Sequence, residues 1–319
     1  MRFDKPKVYA AKHCDFDTRM SSRSGGVFSA LSDVVLEQNG VVYGCIFDED
    51  LQVIHARATS KDTRDKMRGS KYAQSNLRDT FRHVKEDLDS GLAVLFSGTT
   101  CQVDGLLHFL GKGYENLITV DILCHGVPSP ALYTSYLSWQ EKRHSSKIVK
   151  IDFRNKKDFG WNEHVETLVF ENGKTINART YAKLYYKHTM LRPSCYSCPY
   201  KKITRPSAIT IADYWGINKA APGFDDNNGV SLVLVNTEEG SEIFERIREK
   251  LDVVETRIED SMQHPLIGNF KIPENREQFW QDYQNKSFGE LARKYGGRNF
   301  KGAINALKRS FKDKIKFVL

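Results

Sequence analysis

Six cysteines, Cys14, Cys45, Cys101, Cys124, Cys195 and Cys198, are the residues of this 319-residue chain with the most chemistry to offer. Cys195 and Cys198 stand three apart in "RPSCYSCPYKK", a spacing that suits half of a metal site, a redox pair or an ordinary turn. Cys101 follows the turn "SGTT" and falls in the first turn of a helical pattern, where unpaired N–H groups and the helix dipole favour a thiolate. Cys124 closes the next apolar run. If those two runs are neighbouring parallel strands, both sulfurs emerge at the carboxyl edge of one sheet, where open α/β sheets bind ligands. Four thiols then meet the ligand count of tetrahedral zinc or of a four-iron, four-sulfur cluster. Structural zinc usually takes two short-range pairs, whereas Cys101 and Cys124 are single residues 23 positions apart, and Cys-Pro endings occur in ferredoxin-type cluster motifs. Taken singly, each is more simply a small buried hydrophobe, and that is the reading for Cys14 and Cys45, which lack partners at useful spacing. A nucleophilic Cys101 would need a base that the sequence does not single out.

Anion binding is the second chemistry on offer. "SRSGG" opens a helix with backbone N–H groups and a dipole, and Gly25 and Gly26 would allow close approach of a phosphate. "RGSKY" adds two cations, a hydroxyl and an aromatic ring, although by composition alone it is a charged surface loop. No full G-x-G-x-x-G or Walker A sequence is present, so neither an NAD-type site nor a nucleotide triphosphatase is supported.

The elements that must position these residues follow from periodicity. "SRSGGVFSALSDVVLEQNG" reads as a helix with Val27, Leu31, Val34 and Val35 on one face and Gly40 as its C-cap. "VVYGCIF" and "LQVIHARAT" flank the turn "DED" as a strand pair, and a helix around "LRDTFRHVKEDLDSG" follows. "LAVLFSG", "TTCQVDGLLHFLG", "NLITVDILCHG" and "ALYTSYLSWQEKR" alternate strand, helix, strand, helix, the pattern of a right-handed parallel crossover. From Lys147 the pattern turns antiparallel, with Asn172-Gly173 as a hairpin signal. "AITIADYWGI" and a further strand, helix, strand set complete the chain's body. The expected fold is α/β, a mixed, largely parallel sheet flanked by helices with an inserted antiparallel hairpin region. One domain over residues 1–285, with a sub-boundary near 147, is expected to precede a tail over 286–319.

With 40% apolar residues the chain can bury a substantial core. It has neither a signal-peptide run nor an apolar stretch of about 18 residues, so no transmembrane segment and a cytoplasmic location are expected. The net charge of +8 resides in the tail: residues 286–319 hold ten Lys and Arg against two Asp and Glu. There Ile304, Leu307, Phe311 and Ile315 recur at helical spacing, which favours a docking helix with a solvated basic face over nucleic-acid or membrane binding.

The ordered combination "SSRSGGVFSAL", "VVYGCIFDEDLQVIHARA", "MRGSKYAQSNL", "VLFSGTTCQVDGL", "TVDILCHGVPSP", "RPSCYSCPYK", "ITIADYWGI" and "GVSLVLVNT" resembles the beta-subunit family of coenzyme F-420 hydrogenase and dehydrogenase over nearly the entire chain. The resemblance implies an oxidoreductase that holds FAD and at least one 4Fe-4S cluster and passes electrons between iron-sulfur carriers and a hydride-exchanging flavin. It implies Cys101, Cys124, Cys195 and Cys198 as the cluster ligands. Ser24, Gly25, Gly26, Ser70, Lys71, Tyr72, Gln74 and Thr99 are implied at the flavin. Asp213, Tyr214, Trp215 and Gly216 match a family signature for which no physical role is evident. Many bacterial relatives begin with a ferredoxin-like module, and this chain starts after the point where that module would end, so a ferredoxin or another iron-sulfur carrier is the expected partner. Thr100 stands where the family often has proline. Relatives occur with bacterial surface-polysaccharide genes, implying a sugar-related small-molecule substrate. The rival from another class is a non-catalytic, zinc-stabilised binding module that docks through its basic tail.

Overall fold

Apolar runs build an eight-stranded sheet in the computed structural model, which describes residues 1–296. Its members are β1 (Arg2–His13), β2 (Val41–Phe47), β3 (Val53–Ala58), β4 (Val94–Thr99) and β5 (Leu117–Ile122). A separate three-stranded antiparallel sheet follows, β6 (Ile148–Asp152), β7 (Glu166–Phe170) and β8 (Thr175–Ala178). The chain then returns to the large sheet with β9 (Ile209–Asp213), β10 (Ser231–Thr237) and β11 (Leu251–Thr256), giving the order β11-β1-β10-β9-β5-β4-β2-β3. The centre is parallel, β2 beside β4 beside β5 beside β9, and antiparallel strands attach on both sides.

The helices are α1 (Phe16–Ser21), α2 (Val27–Leu36), α3 (Lys61–Asp65), α4 (Thr80–Asp89), α5 (Thr100–Leu110) and α6 (Pro130–His144), followed by shorter ones and by helices at Glu238–Ile247, Arg276–Asn285 and Phe288–Tyr295. As the spacing predicts, α5 carries the chain from β4 to its parallel neighbour β5, with Thr99 level with Ile122. Leu31 and Val35 of α2 pack against Leu95, Val120 and Val233 of the sheet, each buried aliphatic side chain worth roughly 1.5–3 kcal/mol. The second core is aromatic: Tyr133 and Tyr136 of α6 meet Phe153, Phe170 and Tyr181 beneath the small sheet.

Two details depart from the sequence reading. β1 arises from "RFDKPKVYAAKH", where Pro6 and charged residues hide a strand whose buried stretch, Val8–Ala11, sits between β10 and β11. At the end of α2, Asn39 takes the left-handed conformation (φ 57°) in place of Gly40. Gly40 is needed for space, because a Cβ there would lie 2.5 Å from the Ala93 carbonyl. The basic helix expected around Ile304 to Ile315, with most of the tail, lies outside the described residues.

Candidate functional site

The carboxyl ends of β2, β4, β5 and β9 open onto one cavity of about 790 Å³, a volume typical of sites for small molecules and cofactors. Gly44 and Cys45 of β2, Ser97 to Thr99 of β4, Cys124 beyond β5 and Ile211 to Asp213 of β9 contribute to its wall. This is the sheet edge at which open α/β folds bind ligands.

Cys101 is the second residue of α5, and Thr99 caps that helix, its N–H donating to Gln102 Oε1 at 3.0 Å. The Thr99 hydroxyl lies 3.2 Å from Cys101 Sγ. Cys124 stands two residues beyond β5. Cys195 sits in the single tight turn Pro193–Ser197, and Cys198 caps it. The Val127 N–H donates to Cys195 Sγ at 3.5 Å. Gly126 permits this approach: its φ is 131°, and a Cβ there would lie 2.9 Å from Leu191 and 3.5 Å from the Cys195 Cβ. The four thiols gather within electrostatic reach of one another. Burial pushes the Cys124 thiol up to about 12, and Cys101, Cys195 and Cys198 each add to that rise. Burial also raises the Cys195 thiol, with Cys198 and Cys101 contributing. Among the described residues, no group of three or more His, Cys, Asp or Glu side chains is placed so as to hold a metal ion.

Behind the cysteines, the buried Arg205 ties their carriers together. Its Nε and Nη2 donate to Asp121 Oδ2 at 3.0 and 2.8 Å, Nη2 also reaches the Thr100 hydroxyl and, at 3.2 Å, the Ile122 carbonyl, and Nη1 donates to the Tyr200 carbonyl at 2.7 Å. Thr100 precedes Cys101, Ile122 lies two residues before Cys124, and Tyr200 lies two residues after Cys198. The hydroxyl at position 100 is therefore a partner of this guanidinium.

Of the residues expected at a flavin, Ser24, Gly26, Ser70, Lys71, Tyr72, Gln74 and Thr99 line the cavity. Gly26 is the N-cap of α2 in the left-handed conformation (φ 90°), and Ser24 donates its hydroxyl to the Val230 carbonyl at 2.7 Å. Gly25 faces the sheet: its N–H donates to Ser231 Oγ at 2.9 Å, and a Cβ would lie 2.1 Å from the Ala11 carbonyl. The Lys71 ammonium folds back onto the carbonyls of Met67 and Arg68, at 3.1 and 2.9 Å, clamping its own loop, and burial lowers its pKa. The Tyr72 ring packs edge-on against Tyr185 and Phe153, at 4.8 and 5.5 Å. Gln74 accepts from Arg192 at 2.9 Å.

Sequence reasoning missed His55, Arg23 and Arg154 in the same wall. His55 stacks on Phe96, bonds the Ser97 carbonyl through Nε2 at 3.0 Å and buries its Nδ1 without a partner among the described residues; burial lowers its pKa to about 4. Arg154 and Trp161 come from "FRNKKDFGW", which reads locally as a strand end and a charged turn. Trp161 gives the Asp213 to Gly216 signature a structural setting: its indole N–H donates to Asp213 at 2.9 Å, and Trp215 stacks on it at 4.8 Å. Tyr214 is buried, and its hydroxyl donates to Thr256.

No helix among the described residues is long and apolar enough to cross a membrane. A comparison with curated protein sequences gives no match. Among solved structures, the chain is similar to a chain of the F420-reducing NiFe hydrogenase complex from Methanosarcina barkeri, at 18% identity and a TM-score of 0.56, covering 90% of this chain and 96% of that one. At this identity the likeness shows a shared fold. The model of the family described as the C terminus of the coenzyme F420 hydrogenase/dehydrogenase beta subunit matches residues 92–261, the stretch that carries all four gathered cysteines. Matched over more than half of its length, this chain belongs to that family of oxidoreductase subunits.

Proposed function

We propose that this protein is an FAD-dependent iron-sulfur oxidoreductase that relays electrons between a ferredoxin-like donor and a small-molecule substrate exchanging hydride, in surface-polysaccharide chemistry. The observation that carries the reading is the gathering of four thiols from three segments beside a cavity of cofactor size. Cys101, Cys124, Cys195 and Cys198 would hold a 4Fe-4S cluster, and the wall bearing Gly26, Tyr72 and Thr99 would take FAD. Bound there, these groups would supply one-electron relay and hydride exchange, while the protein sets position, solvent access and potential.

The chain's own residues suit those tasks. The Val27 and Phe28 amides that open α2, where Gly26 and Val27 line the cavity, have no partner inside the helix and favour a phosphate. Arg205 holds the cysteine-bearing segments in register, and the Lys201 ammonium, which lies within electrostatic reach of Cys124, Cys195 and Cys198, opposes the negative charge that thiolates would bring. A zinc ion draws its sulfurs to within about 2.3 Å of one point. A cubane spreads its thiolates around a larger body. For a nucleophilic Cys101, the hydrogen-bonding neighbour is the Thr99 hydroxyl, which is no base.

Replacing Cys195 by serine tests the reading. In protein purified without oxygen, iron and sulfide content should fall to a small fraction of wild type while FAD stays bound; unchanged iron and sulfide would remove Cys195 from the ligand set.

A further inference from the structure

Two guanidinium groups in the cavity wall are buried with nitrogens that no atom of the described residues satisfies. The Arg23 side chain is 11% exposed and Arg154 is 6% exposed. Arg23 Nη2 donates to the Trp161 carbonyl at 2.9 Å and lies 3.4 Å from Asp213 Oδ2, but its Nε and Nη1 have no partner among the described residues. Arg154 reaches the hydroxyls of Tyr72 and Tyr186 at 3.4 and 3.5 Å and the Trp161 carbonyl at 3.3 Å, and its Nε has no partner among the described residues. Among the described residues, Asp213 is the one carboxylate in ion-pair contact with either, and it also accepts from the Trp161 indole.

The charge at this end of the cavity is therefore unbalanced. A third basic group, Lys156, lies close by, with its amine directed to the carbonyls of Arg19, Ser24 and Asn228; burial, with Arg23 and Arg19, lowers its pKa to about 7. Burial lowers the pKa of Arg23, Asp213 opposes the shift, and Arg154 adds to it. Burial also drives the His164 imidazole down to about 2, helped by Arg154 and Arg23. Buried guanidinium groups with unpaired N–H donors are unfavourable; the unpaired nitrogens of Arg23 and Arg154 have no accessible surface themselves, so the planar forks meet a carboxylate or phosphate by turning toward the cavity that both side chains line. The Trp215 ring, 38% exposed, lies at 6.0 and 5.5 Å from the two guanidinium carbons and offers a flat apolar surface in the same wall.

We infer that Arg23 and Arg154 anchor an anionic group, a carboxylate or a phosphate, carried by the substrate that enters this cavity, with Trp215 beside its body. The inference rests on the oxidoreductase reading above and names the class of molecule it acts on.

The test titrates the holoprotein, purified without oxygen, with inorganic phosphate and separately with malonate, followed by calorimetry and by the visible spectrum of the flavin. Wild type should bind at least one of them saturably, more tightly phosphate for a phosphate-bearing substrate and malonate for a carboxylate. Arg154→Met and Arg23→Met should weaken that binding at least tenfold at unchanged flavin content. Arg154→Lys, which keeps the charge and loses the fork, should fall between and serves if Arg154→Met does not fold. Equal binding by wild type and variants overturns the inference, as does no binding of either anion to wild type. A folded variant that has lost its flavin also overturns it, because the arginines would then hold the cofactor's own pyrophosphate. Wild-type protein without flavin would instead sink the proposed function, and phosphate calorimetry on that same protein would still decide the arginine site.

Discussion

His55 is buried with one ring nitrogen bonded to the Ser97 carbonyl and the other without a partner among the described residues. Its folded-state pKa of about 4 lies below the unfolded value of 6.5, and burial is the cause. Above pH 6.5 both states hold it neutral and its contribution is complete. As pH falls from 6.5 towards 4, the unfolded chain takes up a proton that the folded one refuses, and stability is lost. The full effect is on the order of 3 kcal/mol. Urea denaturation should show His55→Phe losing less stability than wild type between pH 7 and 4.5; identical slopes would mean that His55 is not held neutral. Gly25 makes a different case. Gly25→Ala would bring a methyl group 2.1 Å from the Ala11 carbonyl, so a loss of roughly 2–3 kcal/mol is expected. A melting temperature within a degree of wild type would contradict this. From the sequence, Gly25 and Gly26 look like one phosphate-binding pair. The structure separates them, since only Gly26 meets the cavity and Gly25 is fixed by the backbone of β1, a strand whose charges and proline hide it from pattern reading.

Among the elements, β4, α5 and β5 were legible because each carries an uninterrupted pattern of the right length, and their parallel pairing follows from the crossover between them. What periodicity could not supply is the strut that holds them to the CxxC turn. Arg205 looks from its neighbours like a surface residue of a polar loop, yet its side chain is 2% exposed and pairs with the fully buried Asp121. Arg205→Met should cost about 3–5 kcal/mol by leaving that carboxylate uncompensated. Adding Asp121→Asn should restore part of the loss. A double variant no more stable than the single one, by chemical denaturation, would show that the pair is not the source of the cost. Under the proposed function, Arg205→Met should also lower iron content while the cysteines remain, because three ligand-bearing segments lose their common partner.

For the whole molecule, the gathering of the four cysteines was legible because four thiols are few enough to consider together and two of their three carriers, α5 and β5, have clear patterns. The arginine-rich end of the cavity was not, since Arg23, Arg154 and Trp215 come from segments far apart in the chain and meet only in the folded cavity wall. The central claim is that this cavity and its four thiols serve flavin and iron-sulfur chemistry. Purification without oxygen, followed by a visible spectrum with iron, sulfide and zinc analysis, tests it most directly. The account predicts flavin bands over a broad absorbance near about 400 nm, as iron-sulfur clusters generally give, with about four iron and four sulfide per chain. A colourless protein holding one zinc per chain would contradict it.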